Sequence, residues 1–518
     1  MSLGRTLCVV MAGLEAHIVT VEADIGDGLP GMIWTGLPDA MVRESANRVK
    51  SAMGHSGEHW PARKVTVALL PASVRKTGSG FDLAVAIAVL AAQRSFEPSL
   101  VRDVVMIGEL GLDGRLCGVT GVLPAVIGAV RAGYSRVVVP RANAPEARLV
   151  PGAAIQAVGT LAELCAILRG DPVDVEPVDL AAPPVAAPPP DLADVVGQSA
   201  ARHAIEVAAA GGHHLLMTGP PGVGKTMLAE RLPGILPDLT DGEALEVSSI
   251  HSLMGRLPAG QPLITRPPFY APHHSATLAS LVGGGIGLPR PGLISLAHRG
   301  LLFLDEAVEF GTKTLEALRQ PLESGEVTIT RASSAATFPA RFQLVLAANP
   351  CACARGGRVT DAASCRCSSS QLRQYQNKLS GPLLDRIDLR TRFEPISRAI
   401  LDVNARGEAT AAVRERVMAA RERASWRLEG TPWTTNAQVP GPEIRSRWPL
   451  QGHVVAELQL DMDRGKASNR GIDRILKISW TLADLGGRGE PNRDDVELAR
   501  HLRFTSPEDA AAELRRSA

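Results

Sequence analysis

This chain of 518 residues has few aromatic residues and almost no excess of charge of either sign. Aromatics make up only 3% of the residues, which weakens any proposal of base-stacking platforms such as those of single-strand binders. The 55 lysines and arginines balance 54 acidic residues, so neither a polybasic tail nor a strongly acidic protein is indicated. Only eight of the basic residues are lysine. Because alanine and glycine are abundant as well, the arginines indicate a GC-rich genome rather than a nucleic-acid footprint.

Long apolar runs are also absent. The longest uninterrupted run, from Leu83 to Ala92, has ten residues and is too short to span a bilayer. The apolar stretch after Arg5 is interrupted by Glu15 and His17 without a cleavage-like site, so no signal peptide is expected. The seven cysteines are an odd number, which predicts reduced thiols. We therefore expect a cytoplasmic protein with no membrane partner.

A proline-rich stretch at residues 171–190 divides the chain. Seven of its twenty residues are proline, which fixes φ and predicts an extended, semi-rigid linker. The length of the chain allows three or four units of about 150 residues. We expect domains at residues 1–170, 191–395 and 396–518.

Strand-like and helix-like runs alternate on both sides of this linker. Before it they predict an α+β or α/β domain, with strands at 64–70, 104–107 and 136–139 and helices at 81–92 and 121–132. After it they predict a parallel sheet covered on both faces, with strands at 214–218, 301–304 and 343–347. From residue 396 strand signals vanish and a small helical domain is predicted, with helices at 408–426, 452–461, 469–485 and 493–502.

The strongest chemical signal is a glycine-rich loop between a predicted strand and a predicted helix. It fits the phosphate-loop pattern G-x-x-x-x-G-K-[ST] and reads Gly219-Pro220-Pro221-Gly222-Val223-Gly224-Lys225-Thr226. Backbone N–H groups in such a loop, and the helix that follows, face the phosphates. We expect Lys225 to reach the β- and γ-phosphates and Thr226 to bind Mg²⁺. A chance glycine loop is the alternative, and the strand–loop–helix context argues against it.

Two later strands end in polar residues. The strand LLFL ends in Asp305 and Glu306, which we expect to hold Mg²⁺ through water and to activate the attacking water, respectively. Without the phosphate loop upstream, these acids would be read equally well as a solvated strand end. Asn349 ends the strand LVLAAN and either contacts the γ-phosphate or the water, or forms a turn before Pro350.

Four of the seven cysteines fall within seventeen residues, at Cys351, Cys353, Cys365 and Cys367. Thiolates suit tetrahedral Zn²⁺, and four of them close a structural site. The C-x-C spacing is tighter than the usual C-x₂₋₄-C, and reduced loop thiols are the alternative. The clustering favours zinc.

The order of these motifs resembles an AAA+ ATPase, and most closely the magnesium chelatase-like YifB/ComM group. The phosphate loop, LLFLDE, LVLAANP and LSGPLLDRIDL follow one another, and the stretches at 271–285 and 289–306 are especially close to that group. The resemblance implies a P-loop α/β domain with a carboxy-terminal helical lid. It also implies that Val196 and Gly197, before the phosphate loop, belong to the adenine-side box.

The resemblance assigns roles to two arginines. Arg386 in LLDRID matches the arginine finger, which in this family acts on the ATP of a neighbouring subunit and neutralises transition-state charge; a salt bridge with Asp385 or Asp388 is the alternative. Arg470 matches the sensor-2 arginine of the lid, and a solvated arginine at a helix start is the alternative. An active site completed between subunits implies a ring, and we expect a homo-hexamer.

Two hairpins are expected in the central region. The residues between the phosphate loop and the acidic strand end exceed a minimal core, and the excess lies at 248–291; in chelatase- and replicative-helicase-like relatives this region carries a hairpin that points into the ring pore. Alternation at 326–343 predicts a second hairpin, where Arg331 and Arg341 could contact DNA phosphates. An ordinary surface hairpin with solvated arginines is at least as plausible.

Residues 108–140 resemble the proteolytic domain of Lon, which has a ribosomal S5 domain 2-like fold. The serine–lysine dyad of that family is missing, because Gly80 and Pro124 stand at the two positions. Without a base, a hydroxyl has no route to nucleophilic catalysis. Ser79 is one residue away, so an alignment shifted by one is the alternative. We expect residues 1–170 to be a degenerate Lon-protease-like domain used for ring assembly or partner binding.

Together these features predict an ATP-hydrolysing AAA+ ring motor that acts on branched or single-stranded DNA. ATP, Mg²⁺ and a structural Zn²⁺ are the expected cofactors. A helicase or branch-migration factor in recombination or natural transformation is the leading hypothesis. A chelatase-type ATPase that remodels a protein partner is the main rival.

Overall fold

A computed structural model describes residues 2–173, 190–258, 260–285, 289–331, 334–353, 365, 367–394, 406–463 and 468–504. Most of the stretch predicted as a linker lies outside these residues. Within them, no helix is both long enough and apolar enough to cross a membrane.

The amino-terminal unit is built on a mixed seven-stranded sheet with the order β3-β4-β2-β1-β5-β8-β9. The strands are β1 Ser2–Ala12, β2 Glu15–Gly26, β3 Gly31–Thr35, β4 Lys64–Leu70, β5 Val105–Met106, β8 Arg136–Pro140 and β9 Ala154–Val158, with a separate pair β6 Glu109–Leu110 and β7 Leu116–Cys117. The helices are α1 Ala40–His55, α2 Asp82–Ala92, α3 Val122–Arg131, α4 Ala144–Ala147 and α5 Leu161–Arg169.

Helix α2 is the centre of this unit. All eleven of its residues are buried, as expected of a helix that is apolar on every side. It lies directly on β1, because Gly4 has no side chain; a Cβ there would stand 2.0 Å from the carbonyl oxygen of Ala88.

The central unit contains a five-stranded parallel sheet with the order β11-β14-β17-β10-β18. Its strands are β10 Leu215–Thr218, β11 Phe269–Tyr270, β14 Leu301–Leu304, β17 Gln343–Ala348 and β18 Leu389–Arg392. Two antiparallel pairs stand apart from it, β12 Gly283–Gly284 with β13 Arg290–Pro291, and β15 Glu326–Arg331 with β16 Ser334–Pro339. Because all five sheet strands are parallel, their carboxyl ends meet at one edge.

Short helices surround that sheet. They are α6 Ser199–Gly211, α7 Lys225–Ala229, α8 Leu232–Ile235, α9 Asp241–Leu253, α10 Leu278–Val282, α11 Leu293–Leu296, α12 Thr312–Glu316, α13 Arg319–Ser324, α14 Ser369–Gln376 and α15 Gly381–Leu384. The described residues after β18 contain helices and no strand, namely α16 Thr410–Arg427, α17 Gly441–Arg447, α18 Gly452–Asp463, α19 Asn469–Leu485 and α20 Arg493–Arg503. Buried residues of α16 and α19 join those of β10 and α6 in one hydrophobic cluster, so this helical lid packs on the sheet.

A buried polar contact joins the amino-terminal unit to the central unit. The hydroxyl of Ser252, at the end of α9, donates to Glu146 Oε2 at 2.5 Å. The same carboxylate accepts from Asn143 Nδ2 at 2.6 Å and from the backbone of Leu123 at 3.2 Å. Burial raises the pKa of Glu146 although these hydrogen bonds oppose the shift. The two units therefore meet through a hydrogen-bonded carboxylate as well as through apolar packing of α3 on α9.

The strands and helices expected from the sequence are present, with bounds that agree to within two residues. The long β1–β2 hairpin, whose eleven paired positions run from Ser2–Ile25 to Ala12–Glu15, was not predicted. Its polar and apolar residues alternate only in part, so a local pattern does not distinguish it from a loop. The predicted second hairpin is confirmed as β15–β16, and β12–β13 stands between α10 and α11 in the region where the first was expected.

Candidate active site

The phosphate loop lies at the carboxyl edge of the parallel sheet, between the end of β10 and the start of α7. Gly222 and Gly224 have φ of 76° and 94°, in the left-handed region that favours glycine. A Cβ at Gly219 would stand 2.7 Å from the Cβ of Phe393, so this position tolerates no side chain without movement. The loop sequence therefore matches both the backbone conformation and the space available.

Lys225 is turned into its own loop. Its ammonium donates to the carbonyl oxygens of Gly219 at 2.7 Å and Pro220 at 2.9 Å, and to Asn349 Oδ1 at 3.1 Å. Burial lowers the pKa of the Lys225 ammonium, and the nearby carboxylates of Asp305 and Glu306 oppose that shift. Residues that follow three different strands, β10, β14 and β17, therefore lie close together here.

The oxygen atoms expected to bind Mg²⁺ converge beside this lysine. Thr226 Oγ1 donates to Asp305 Oδ2 at 2.6 Å, and Asp305 Oδ1 accepts from the backbone of Glu306 at 2.8 Å. A hydroxyl and a carboxylate are hard oxygen ligands of the kind that Mg²⁺ prefers, usually completed by water and substrate phosphate. The residues present therefore fit this ion.

Glu306 has an unusual backbone conformation. Its φ is +48°, in a region that non-glycine residues rarely adopt and that recurs at functional sites. Its carboxylate lies 3.5 Å from His274 Nδ1, and the His274 ring lies 4.0 Å from that of His273. Our reading of the sequence missed His274 as a neighbour of Glu306. The available signal was the pair of histidines in the 271–285 stretch.

These groups line a cleft of about 360 Å³. The lining residues are Pro221, Gly222, Gly224, Lys225, Thr226, Met227, Asp305, Glu306, Ala347, Ala348 and Asn349. The expected adenine-side residues lie just before α6 and are not among those that line the cleft. Val196 and Gly197 precede Gln198, whose side-chain amide donates to Glu394 O at 2.7 Å and to Val223 O at 3.5 Å. Gln198 thus touches the phosphate loop, and the adenine-side role of Val196 and Gly197 stays a prediction.

Arg386 lies near the amino ends of the parallel strands, whereas the phosphate loop lies at their carboxyl ends. It precedes β18, which runs parallel to β10 with Leu389 beside Leu215 and Arg392 beside Thr218. A strand of this length separates the two edges by roughly 13 Å, at the usual rise of about 3.3 Å per residue. Arg386 and the phosphate loop of the same chain are therefore on opposite sides of the sheet.

The ionic partner of Arg386 is Glu323. The guanidinium donates to the Glu323 carboxylate and, at 2.5 Å, to Pro382 O. The sequence suggested Asp385 or Asp388 as the alternative partner, but Asp388 instead pairs with Arg474 and lies 3.4 Å from His213.

Arg470 lies in the first turn of α19 and is exposed. It is absent from the residues that line the cleft, so its expected contact with nucleotide stays a prediction.

The four clustered cysteines converge on one point. Their Sγ atoms lie within 4.8 Å of one another. Cys351 lies 3.2 Å from Cys353 and 3.7 Å from Cys365, and Cys353 lies 3.6 Å from Cys365. A tetrahedral Zn²⁺ with Zn–S bonds of about 2.3 Å needs sulfur atoms about 3.8 Å apart, so this arrangement is close to that of a four-thiolate site.

The other cysteines behave differently. Cys8 and Cys165 are buried, and burial raises the pKa of each thiol to about 12. Cys117 is exposed, and none of the described cysteines forms a disulfide.

The two hairpins of the central unit pack against each other. A Cβ at Gly283 would meet the side chain of Ile329, and one at Gly284 would stand 3.0 Å from the guanidinium of Arg331. Arg331 is exposed at the tip of β15–β16, whereas Arg341 follows its base, where its side chain contacts Gly325. The two arginines predicted to contact DNA therefore lie at opposite ends of the hairpin.

In the amino-terminal unit, Ser79 has a carboxylate neighbour. Its hydroxyl donates to Glu109, while the buried Lys76 donates to the carbonyl of Pro71. Among the residues that the structure describes, Ser79 has no hydrogen bond with a lysine.

Comparison with known proteins places these sites in a family. Family models match residues 191–401 as magnesium chelatase, subunit ChlI, residues 21–143 as subunit ChlI of Mg-chelatase, and residues 407–503 as the ChlI C-terminal region. A Lon protease of Salinispora arenicola is 28% identical over 183 residues, which are 33% of this chain and 23% of that protease.

Several relatives match nearly the whole chain. An uncharacterised protein of Mycobacterium tuberculosis strain H37Rv is 50% identical over 513 residues, or 98% of this chain and 99% of its own. The uncharacterised protein YifB of Escherichia coli K12 is 40% identical over 491 residues, covering 95% and 94%. The competence protein ComM of Haemophilus influenzae is 41% identical over 492 residues, covering 94% of each chain. This chain belongs to the magnesium chelatase-like YifB/ComM family of AAA+ ATPases.

Proposed function

We propose that this protein is a DNA-dependent ATPase that works in the cytoplasm as a homo-hexameric ring, with domains at residues 1–170, 191–395 and 396–518. Its task is to move or remodel branched or single-stranded DNA, as a helicase or branch-migration factor in recombination or natural transformation. The observation that carries the ring is the position of Arg386. It lies across the sheet from its own phosphate loop, which supports a role in the site of an adjacent copy.

The reaction we propose is in-line attack of water on the γ-phosphate. The loop amides and Lys225 bind the phosphates, while Thr226 and Asp305 would hold Mg²⁺, which would supply positive charge to stabilise the transition state. Glu306 orients the water and takes its proton, and Asn349 contacts the γ-phosphate or the water. Arg386 of the adjacent copy stabilises the transition state, and Arg470 of the lid binds the nucleotide from above.

The DNA assignment is supported by the relative named as a competence protein and by the paired hairpins. The net charge of +1 provides no general attraction for DNA, so contact must be local. Arg331 at the tip of β15–β16 is the described side chain best placed for a phosphate contact.

A chelatase-type role is the second candidate. It is favoured by one specific observation, the matches to models named for the magnesium chelatase subunit ChlI. In that case a protein partner, rather than DNA, would stimulate the ATPase.

The test is an ATPase assay on the purified full-length protein with single-stranded, duplex and forked DNA. We expect DNA to stimulate turnover, Lys225→Ala to abolish it, and Lys50→Ala, an exposed lysine on α1, to leave it unchanged. The assay is run at low salt, where phosphate contacts are strongest. Absence of DNA binding under those conditions contradicts the DNA assignment, and absence of any turnover contradicts the ATPase.

We further propose that Cys351, Cys353, Cys365 and Cys367 bind one structural Zn²⁺. The support is the convergence of four sulfur atoms and the softness of thiolates as ligands.

A further inference from the structure

The cysteine cluster begins two residues after Asn349. Strand β17 ends at Ala348, Asn349 follows it, and Cys351 is buried. Asn349 Oδ1 accepts from Lys225 in the phosphate loop at 3.1 Å. The same short stretch of backbone thus carries a side chain of the cleft and the first sulfur of the cluster.

The other end of the cluster leads into a helix that returns to Asn349. Cys367 is followed by α14, whose N-terminus has a capping box between Ser368 and Gln371. Tyr375, near the end of α14, is largely buried; burial raises its pKa to about 12, and the nearby backbone of Asn349 opposes that shift. Asn349 therefore lies between two elements linked to the cluster: the stretch that leads to Cys351, and α14, which follows Cys367.

Four thiols whose Sγ atoms lie within 4.8 Å of one another suit a common ligand. Sulfur is a weak hydrogen-bond donor and acceptor, so contacts of 3.2–3.7 Å between thiols contribute little by themselves. Bringing Cys351 and Cys367 together closes a loop, which costs entropy. A metal bound by four thiolates offsets such a cost, because its binding free energy becomes folding free energy.

We propose that Zn²⁺ bound by the four cysteines fixes the position of Asn349 and so controls ATP hydrolysis rather than ATP binding. This inference rests on the proposed ATPase function. The phosphate-loop amides and Lys225 provide most of the nucleotide affinity, and they do not depend on the cluster. Asn349 has a role that depends on exact placement, since a shift of about 1 Å in a reacting group can cost roughly 10²-fold in rate. The cysteines are positioning residues and do not touch the nucleotide.

The metal itself is tested first. Zinc content per chain is measured by elemental mass spectrometry for the full-length protein and for Cys365→Ser, Cys365→His and Cys117→Ser. We expect one zinc in the wild type and in the control Cys117→Ser, loss of zinc in Cys365→Ser, and recovery in Cys365→His, because imidazole can replace a thiolate as a ligand. A wild type without zinc, at saturating zinc and reducing conditions, overturns the inference.

Coupling to the active site is tested by a double-mutant cycle. Nucleotide affinity and kcat are measured for Cys365→Ser, Asn349→Ala and the double variant. We expect unchanged affinity, a fall in kcat of roughly 10²-fold for each single variant, and no further fall in the double variant, because both changes remove the same contact. Asn349→Ala should keep its zinc. Additive losses, or a Cys365→Ser protein that loses zinc and keeps its kcat, overturn the inference.

A further experiment separates a folding defect from the proposed effect. Zinc is removed from the folded wild type with a chelator and a thiol reagent, in excess Mg²⁺, and kcat is measured; it should fall. Restoring zinc should restore kcat, and unchanged turnover throughout overturns the inference. If the wild type binds zinc but hydrolyses no ATP, the proposed function fails instead.

Discussion

Arg386→Ala is expected to abolish turnover while leaving nucleotide binding intact. Its backbone lies across a four-residue strand from its own phosphate loop, a separation of roughly 13 Å, and Arg386 does not line the cleft, so the variant keeps every group that does. An arginine that acts on a neighbour's γ-phosphate is typically worth about 10³–10⁵ in kcat. The side chain of Glu323 is 66% exposed and that of Arg386 only 15%, so thermal unfolding of the variant is measured beside the wild type to separate lost stability from lost turnover.

Mixing two inactive variants tests the geometry. Lys225→Ala lacks a working phosphate loop but keeps its finger, and Arg386→Ala has the converse defect. In rings assembled at random from equal amounts, about one quarter of the head-to-tail interfaces combine an intact loop with an intact finger. We therefore expect phosphate release at about one quarter of the wild-type rate, if the sites act independently.

A cis-acting finger gives a different result. No subunit of the mixture would then contain a complete site, and the mixed rings would stay inactive after subunit exchange. That outcome, with ring formation verified by light scattering, refutes the reasoning. Arg102→Ala, which removes an exposed arginine of the amino-terminal unit, is the matched control and should keep the wild-type rate by itself.

Three further changes have distinct expected outcomes. Glu306→Gln should bind ATP normally but lose turnover, because the amide cannot take the proton of the attacking water; nucleotide binding and phosphate release measured together decide this, and normal turnover would contradict the role. Ser252→Ala removes a hydrogen bond to the buried carboxylate of Glu146 and should cost about 1.5–3 kcal/mol. Because burial raises the pKa of Glu146, the ionised carboxylate already destabilises the folded state above its unfolded pKa. The variant raises that pKa further, so urea unfolding should show a larger loss at neutral than at mildly acidic pH, and equal losses would argue against it. Arg331→Ala should leave basal ATPase unchanged and reduce the slope of log DNA affinity against log salt by about 1; an unchanged slope would exclude a phosphate contact.

Much of the candidate site could be predicted because its residues follow local patterns. The glycines of the phosphate loop, the acids after β14 and the asparagine after β17 each follow a short apolar run. The carboxyl ends of parallel strands meet at one edge, so assigning the strands was enough to bring Lys225, Asp305 and Asn349 together. The cysteine cluster was also predicted from spacing alone.

Contacts between distant segments could not be predicted in this way. The partner of Arg386 is 63 positions away, the hydrogen bond from Ser252 to Glu146 spans 106, and His274 reaches Glu306 from a separate loop. Each of these contacts depends on how helices pack. The sequence offers several arginines and several acids of equal charge as partners for each contact, so it does not single out one pair.

The sequence by itself determined the phosphate loop, the two acids and the parallel sheet, because backbone conformation and hydrophobic periodicity are local properties. Only the tertiary structure decided that Arg386 lies across the sheet from its own loop, that four sulfur atoms converge beside Asn349, and that α9 contacts the amino-terminal unit. These facts depend on which surfaces pack together, and packing is set by the free energy of the whole chain rather than by any short segment.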